Sequence, residues 1–307
     1  MTGVSDLAAG GLARLAELIQ RHTPYEGECA LRVPGVSVAR TVRPHKALAH
    51  SVQKPALCLV AQGNKAVHIG AEQYAYDPQR MMVYAVHVPV AFQVTRASVE
   101  EPFLTFKLEL DPERIAELAL KLYPHGLPRR PEGRGVQVTE ADPAILNAAI
   151  RVLETVDQER EATWIGPLIV DEMVMRLLLG PVGPMVAQMG QVESSTQRIE
   201  RAIGWIQAHF EGPLNVEALA ELSHMGVSTF HAHFKAVTGL SPLQFQKNLR
   251  LQEARRLMYT TGLDVGAVSR QVGYASASQF TREYTRLFSS TPRQDMTELR
   301  LGGAEGR

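Results

Sequence analysis

The chain has 307 residues, 45% apolar and 21% charged, and its 32 basic and 32 acidic residues cancel to a formal net charge of zero. This is the composition of an ordinary globular protein with enough chain for two cores. Two cysteines, Cys29 and Cys58, exclude a disulfide framework, and no apolar run approaches the roughly 18 residues of a membrane span.

The opening stretch lacks the basic start and unbroken apolar run of a signal peptide, so a reducing cytoplasm is the expected setting, with no membrane partner. Leu12, Leu15, Leu18 and Ile19 recur at helical spacing and predict a short amphipathic helix over Leu7–Arg21. From about Cys29 to Leu110 the period changes to that of strands. Candidates are Val36–Val42, Ala56–Gln62, Lys65–Ile69, Glu72–Tyr76, Met81–Val86, Ala91–Ser98 and Phe103–Glu109, bounded by turn formers such as Gly63-Asn64 and Asp77-Pro78. Short strands at this spacing predict a barrel or sandwich, and a small barrel is a natural sensing pocket. Cys58, His68, Tyr84, His87 and Phe106 are the candidate ligand-facing residues. Cys58 sits in an apolar run, as a free cysteine acting as a small hydrophobe does; a reactive, electrophile-sensing thiol is the alternative.

Asp111-Pro112 and Asp142-Pro143 each pair an N-cap with a proline at the first helical position, and predict helices to about Tyr123 and Val156. Between them, His125–Gly135 is rich in Pro, Gly and Arg and reads as a mobile loop. A third, strongly apolar helix is predicted over Ile165–Leu179. These helices carry more apolar surface than a small barrel needs and are expected to close the N-terminal core. Gly and Pro are dense over Gly180–Gly190, which marks a boundary. The expected division is a sensing unit over 1–180, a linker over 181–196 and a helical unit over 197–299.

The stretch Leu214–Asp295 contains one unit written twice. Ser228 matches Ser278, Phe230 matches Phe280, Phe234 matches Tyr284 and Pro242 matches Pro292, all at an offset of fifty. Each unit reads helix, Gly-containing turn, helix: the helix-turn-helix layout, whose second helix enters a DNA major groove. In the first unit Phe230, Phe234 and Val237 face a core, which leaves Ser228, Thr229, His231, Ala232 and Lys235 outward. In the second, Phe280, Tyr284 and Leu287 face in, and Ala277, Ser278, Gln279, Thr281 and Arg282 complete the candidate DNA-contacting set. Ser276 is a good N-cap and Gly226, its counterpart, a weaker one. Ser241-Pro242 starts a connector helix that runs to about Met258 and carries Lys247, Arg250, Arg255 and Arg256. Residues 224–293 hold nine basic and three acidic side chains, a local net of +6 in a neutral chain. A basic patch confined to one segment is the footprint expected for phosphate contacts, with Lys235, Arg250 and Arg293 as candidates.

Phe234–Gln246, Leu249–Met258 and above all Val272–Gln294 (Gly-Tyr, Ser-Gln-Phe, Arg, an aromatic, Phe, Thr-Pro-Arg) resemble the DNA-binding domain of the AraC/XylS family of bacterial transcription regulators. The resemblance implies seven helices, with two recognition helices held by the connector and entering successive major-groove segments. It places base-reading residues at Ser228, His231, Ala232, Ala277, Ser278 and Arg282. The family commonly has Arg where this chain has Ala232, so the first helix is expected to read bases weakly. Pro55–Pro78 and Val86–Pro112 resemble the cupin-like N-terminal domain of the same regulators, which implies an effector-binding unit. Cupins suggest metal, but His45, His50, His68 and His87 lack the His-x-His-plus-carboxylate pattern; no metal and no cofactor are expected.

The fold expected is α+β: an N-terminal cupin-like β-barrel with packed helices, then an all-α domain with two helix-turn-helix units. The function expected is regulation of transcription, with activation as the sign, double-stranded DNA, RNA polymerase and an unidentified small molecule as partners, and a homodimer as the oligomer. The expectation is that the chain is no enzyme. Two alternatives are a cupin-like enzyme fused to a DNA-targeting module, which bound Fe, Mn or Zn would revive, and a constitutive DNA-bending protein.

Overall fold

The computed structural model describes residues 2–45, 47–128, 133–191 and 193–302. It opens on α1 (Thr2–His22), whose Leu15, Leu18 and Ile19 are fully buried. Strands β1 (Gly27–Ala30), β2 (Val36–Thr41), β3 (Ala49–Gln53), β4 (Ala56–Gln62), β5 (Asn64–Ile69), β6 (Glu72–Tyr76), β7 (Arg80–Tyr84), β8 (Val88–Arg96) and β9 (Phe103–Glu109) follow. After α2 (Pro112–Leu122) and β10 (Val136–Glu140) come α3 (Pro143–Thr155), α4 (Glu159–Trp164), α5 (Gly166–Leu179) and α6 (Gly183–Gly190). Asp111 and Asp142 cap α2 and α3 as their Asp-Pro pairs predict, each accepting a backbone N–H two residues on. The sequence pattern does not predict β1, β3, β10, α4 or α6. β3 reads Ala-His-Ser-Val-Gln, too polar to show an alternation.

The strands form two antiparallel sheets, ordered β1-β2-β9-β4-β7-β10 and β3-β8-β5-β6. Among the described residues no ladder joins one sheet to the other, so the expected barrel is corrected to a two-sheet sandwich. Strand spacing is the same for both architectures; closure depends on edge strands pairing, which spacing does not encode. The larger sheet is covered on both sides. In β4, Ala56, Cys58 and Val60 face the second sheet, while Leu57, Leu59 and Ala61 face α1, α2, α3, α5 and α6. This double burial is why β4 reads as an unbroken apolar run. Gly63 turns β4 into β5 at φ +79°, where a Cβ would lie 2.5 Å from the Arg96 carbonyl oxygen.

Helices α7 (Ser195–Ala208), α8 (Val216–Leu222), α9 (Val227–Thr238), α10 (Pro242–Thr261), α11 (Val265–Gln271), α12 (Ala277–Phe288) and α13 (Pro292–Gly302) complete the described chain, seven as the resemblance implies. They hold two cores that share α10. Phe230, Phe234 and Phe245 centre the first, and Phe280 and Tyr284 the second. Each fully buried Phe contributes roughly 1.5–3 kcal/mol by leaving water. Ser241 opens α10 with a reciprocal capping box to Gln244, and Ser276 accepts the Gln279 N–H at the head of α12. Gly226 gives α9 no side-chain cap, as expected.

The segment 181–196, expected as a linker, carries α6, whose Met185, Val186, Ala187 and Met189 are buried in the core between the larger sheet and α1, α2, α3 and α5. Gly190 packs so closely on α2 that a Cβ would sit 2.5 Å from the Ala116 nitrogen. Glycine and proline mark tight packing here. Of the expected mobile loop, residues 129–132 lie outside the described residues. Its end is bonded on both sides: the Ala85 N–H donates to the Gly135 carbonyl (2.7 Å), and the Gly135 N–H donates to the Val237 carbonyl of α9 (3.0 Å).

Candidate nucleic-acid interface and internal cavity

The cores of the helical unit decide which faces of α9 and α12 remain outside. Phe230, Phe234 and Val237 are buried, so Ser228, Thr229, His231, Ala232 and Lys235 are exposed. Phe280 and Tyr284 are buried, so Ala277, Ser278, Gln279 and Arg282 are exposed, with Thr281 half-buried. Ala277, Ser278, Thr281, Arg282 and Thr285 together line one shallow concavity on α12. The Gln279 amide donates to Glu283 on the same helix (3.2 Å), and the Thr281 hydroxyl donates to the Ala277 carbonyl (2.9 Å), so neither group is idle.

The basic residues of this segment divide by partner. Lys235, Arg282, Arg286 and Arg293 are exposed and form no ion pair among the described residues. On α10, Lys247 pairs with Glu283 at 2.7 Å and Arg256 with Glu253 at 2.6 Å. Arg255 makes a two-bond fork to Asp295 at 2.8 Å each, and Asp295 also accepts the Tyr284 hydroxyl. Arg250, expected on phosphate, is spent inside the fold. Its guanidinium donates to the carbonyls of Phe210 (2.6 Å), Glu211 (3.1 Å), Gly212 (2.7 Å) and Gly273 (2.9 Å). Four carbonyls converging there take four of its five N–H donors, which counting charges along the sequence does not reveal. Burial pushes the Glu283 carboxyl up, but bonds from Lys247, Tyr274 and Gln279 outweigh it and hold it below its usual range.

Between the two sheets lies a cavity of about 370 Å³. Of the five candidate ligand-facing residues, Cys58 and Tyr84 line it; His68, His87 and Phe106 do not. Alternation explains two of the three. Lys65 and Val67 of β5 face the cavity, so His68 faces away; Thr105 and Lys107 of β9 face it, so Phe106 lies in the helix-side core. His87 lies beyond the end of β7, where its ring pairs with Glu200 of α7 and its N–H donates to the same carboxylate (3.1 Å). Burial pushes the Cys58 thiol up to about 11, against a thiolate role. The lining residues missed by the sequence reading are Lys65, Lys107 and Tyr76, which cross-strand register brings to the Cys58 face. Among the described residues no group of His, Cys, Asp and Glu could hold a metal ion, and no helix is long and apolar enough to cross a membrane.

Comparison with known proteins bears on the same two regions. Residues 32–185 match the AraC-type transcriptional regulator N-terminus, and residues 219–297 match a helix-turn-helix domain. The chain is similar to the HTH-type transcriptional activator RhaS of Escherichia coli (strain SE11), 29% identical over 102 residues, 33% of this chain and 37% of that protein. To RhaS of Escherichia coli O1:K1 / APEC it is 23% identical over 167 residues, 54% of this chain and 60% of that protein. The chain thus spans between 37% and 60% of the length of these curated relatives. Its fold is similar to that of ToxT from Vibrio cholerae O395 bound to (E)-4-(8-methylnaphthalen-1-yl)but-3-enoic acid, with a TM-score of 0.54 at 11% identity, covering 85% of this chain and 98% of ToxT. Unsaturated fatty acid bound ToxT from Vibrio cholerae strain SCE256 gives 0.51 at 10%, covering 84% and 94%. With half of its length on the N-terminal family model and a helix-turn-helix match behind it, the chain belongs to the AraC/XylS family of transcriptional regulators.

Proposed function

We propose that this protein is a sequence-specific DNA-binding transcription activator whose inter-sheet cavity senses a small molecule. The observation that carries the reading is the pair α9 and α12: each is anchored on α10 by buried aromatics and presents a polar, exposed outer face. The two helices enter adjacent stretches of major groove. Ser228, Thr229, His231 and Ala232 face bases from α9, and Ala277, Ser278 and Arg282 from α12. Arg282, which forms no ion pair among the described residues, makes the fork to guanine, a contact that discriminates by roughly 1–3 kcal/mol. Lys235, Arg286 and Arg293 meet phosphates, so affinity falls steeply with salt as counterions are released. Gln279 and Thr281 position their neighbours.

The burial of α6 supports dividing the chain after it, into a sensing unit over 1–190 and a DNA-binding unit over 195–299. The ligand-bound descriptions of ToxT support the cavity as the effector site. RNA polymerase is the further partner, the active species is a homodimer, and the setting is the cytoplasm. Fluorescence anisotropy with promoter and scrambled duplexes tests the reading. Arg282→Ala should weaken specific binding roughly tenfold to a hundredfold and leave non-specific binding nearly unchanged. Equal losses on both duplexes would reduce Arg282 to a phosphate contact. No preference for promoter DNA in the native chain would overturn the function.

A further inference from the structure

The charge inside the cavity is not balanced. Lys107 is matched by Glu28 at 3.2 Å, and Glu28 is further held by the Ser37 hydroxyl at 2.7 Å. Lys65 has no such partner. Among the described residues its ammonium forms no ion pair or hydrogen bond; it stands over the Phe92 ring, with the nitrogen 3.9 Å from the centroid, and interacts with Glu28 only through space. Lys65 is half-buried and lines the cavity. The other bases facing the cavity do not add a counter-charge. His45 and His50 are both kept towards their neutral forms, by burial first and by neighbouring cations second. A β-bulge between Asn64 and Lys65 shifts the register at this point of β5. Lys65 then stands directly across the ladder from Tyr76 on β6, on the same face of the sheet. The Tyr76 hydroxyl also has no described hydrogen-bond partner, and burial keeps it protonated and able to donate.

An unmatched half-buried ammonium is costly unless an anion reaches it, and an adjacent phenol supplies a second donor of suitable geometry. Val67, Val90, Val94, Phe92 and Phe103 supply the apolar part of the wall, beside a polar part that includes Ser37, Ser51 and Thr105. The volume of about 370 Å³ equals roughly a dozen water molecules at ~30 Å³ each, within the range of small-ligand sites. We infer that the cavity takes the anion of a medium-sized, apolar-bodied carboxylic acid, its carboxylate held by Lys65 and Tyr76. The inference rests on the small-molecule reading above and names the class of that molecule. A carboxylate accepts from the ammonium with one oxygen and from the phenol with the other, while the hydrocarbon body replaces water against the aromatic and branched walls.

The test uses the full chain and six probes: octanoate, decanoate and 4-phenylbutyrate, and the neutral amide of each. Calorimetry and thermal unfolding are read for the native protein and for Lys65→Met and Tyr76→Phe. At least one acid is expected to bind and raise Tm, and its amide to bind at least tenfold more weakly. Lys65→Met is expected to erase that preference. Tyr76→Phe, which removes one oxygen and keeps the ring, is expected to weaken the acid severalfold and leave the amide alone. Amides binding as tightly as acids, or a preference that survives Lys65→Met, would overturn the anion assignment and leave a sensing cavity of another chemistry. Binding by none of the six would likewise overturn the carboxylic-acid assignment and leave the sensing reading to a ligand of another class. DNA anisotropy on the same preparation then reports separately whether the regulator reading stands.

Discussion

His50 shows how one side chain can belong to two sites. It lines the cavity from β3, and its ring stands edge-on to Phe288 at the end of α12, centroids 4.8 Å apart. Its Nε2 is buried with no hydrogen-bond partner among the described residues. Burial first, then the nearby Arg255 and His68 against Asp295, push its pKa down to about 4. The unfolded chain holds that proton below about 6.5. Between the two values the unfolded state binds more protons, so stability contributed by neutral His50 is full above about pH 6.5 and is lost as pH falls towards 4. Urea unfolding of the native chain and of His50→Gln across this window should give curves that converge at the acid end. A difference constant with pH would mean that His50 is not held neutral. Arginines show the same dependence on surroundings: Arg282 and Arg250 are alike in sequence, yet one faces solvent and the other is forked into four carbonyls.

At the scale of elements, α10 joins the two recognition helices into one body. Gln246 and Arg250 on it hold the turn Phe210–Gly212 that links α7 to α8, and Arg250 also reaches Gly273 at the α11–α12 turn. One residue therefore ties both helix-turn-helix units to the same helix. Arg250→Met keeps much of the stem but removes all of the guanidinium's donors, leaving Gln246 on the Phe210 and Gly212 carbonyls. A loss of roughly 1.5–3 kcal/mol in urea unfolding is expected, the range for hydrogen bonds from a charged group. Arg250→Lys should recover only part of it, because an ammonium cannot reproduce the fork. A variant of native stability with weakened DNA binding would return Arg250 to a phosphate role.

Across the whole molecule, the sandwich and the helical unit are docked through the C-terminal end of α9. Gly239 ends that helix in the left-handed region, φ +76°, and lies against Gly70 in the β5–β6 turn, φ +60°. A Cβ on Gly70 would come 2.4 Å from the Gly239 carbonyl oxygen, so two glycines are required for the approach. Gly135 donates to Val237 beside it, Val86 enters the core of α7 and α9, and Gln252 donates to the Ser51 carbonyl on β3 (3.4 Å). Gly70→Ala should force these surfaces apart. Hydrogen exchange is expected to speed up at Val237–Leu240 and in the β5–β6 turn while the inner strands β4 and β9 stay protected. Unchanged exchange at α9 would show that the contact does not restrain the recognition helix.

Periodicity and spacing alone determined the double helix-turn-helix: Phe230, Phe234, Phe280 and Tyr284 recur at helical intervals, and burying them forces Ser228, His231, Ser278 and Arg282 outward. These are local consequences of a 3.6-residue turn, so the sequence carries them openly. The strands were legible for the related reason that side chains alternate, but alternation does not say which face meets which neighbour. Hence His68 and Phe106 were expected in a cavity that register gives to Lys65, Tyr76 and Thr105. Whether sheets close, whether a Gly- and Pro-rich stretch is a linker or the tightly packed α6, and which arginines are free depend on contacts between residues far apart in the chain. Those were settled only by the tertiary structure, because long-range partners set a side chain's solvent, charge and hydrogen bonds, and no local pattern records them.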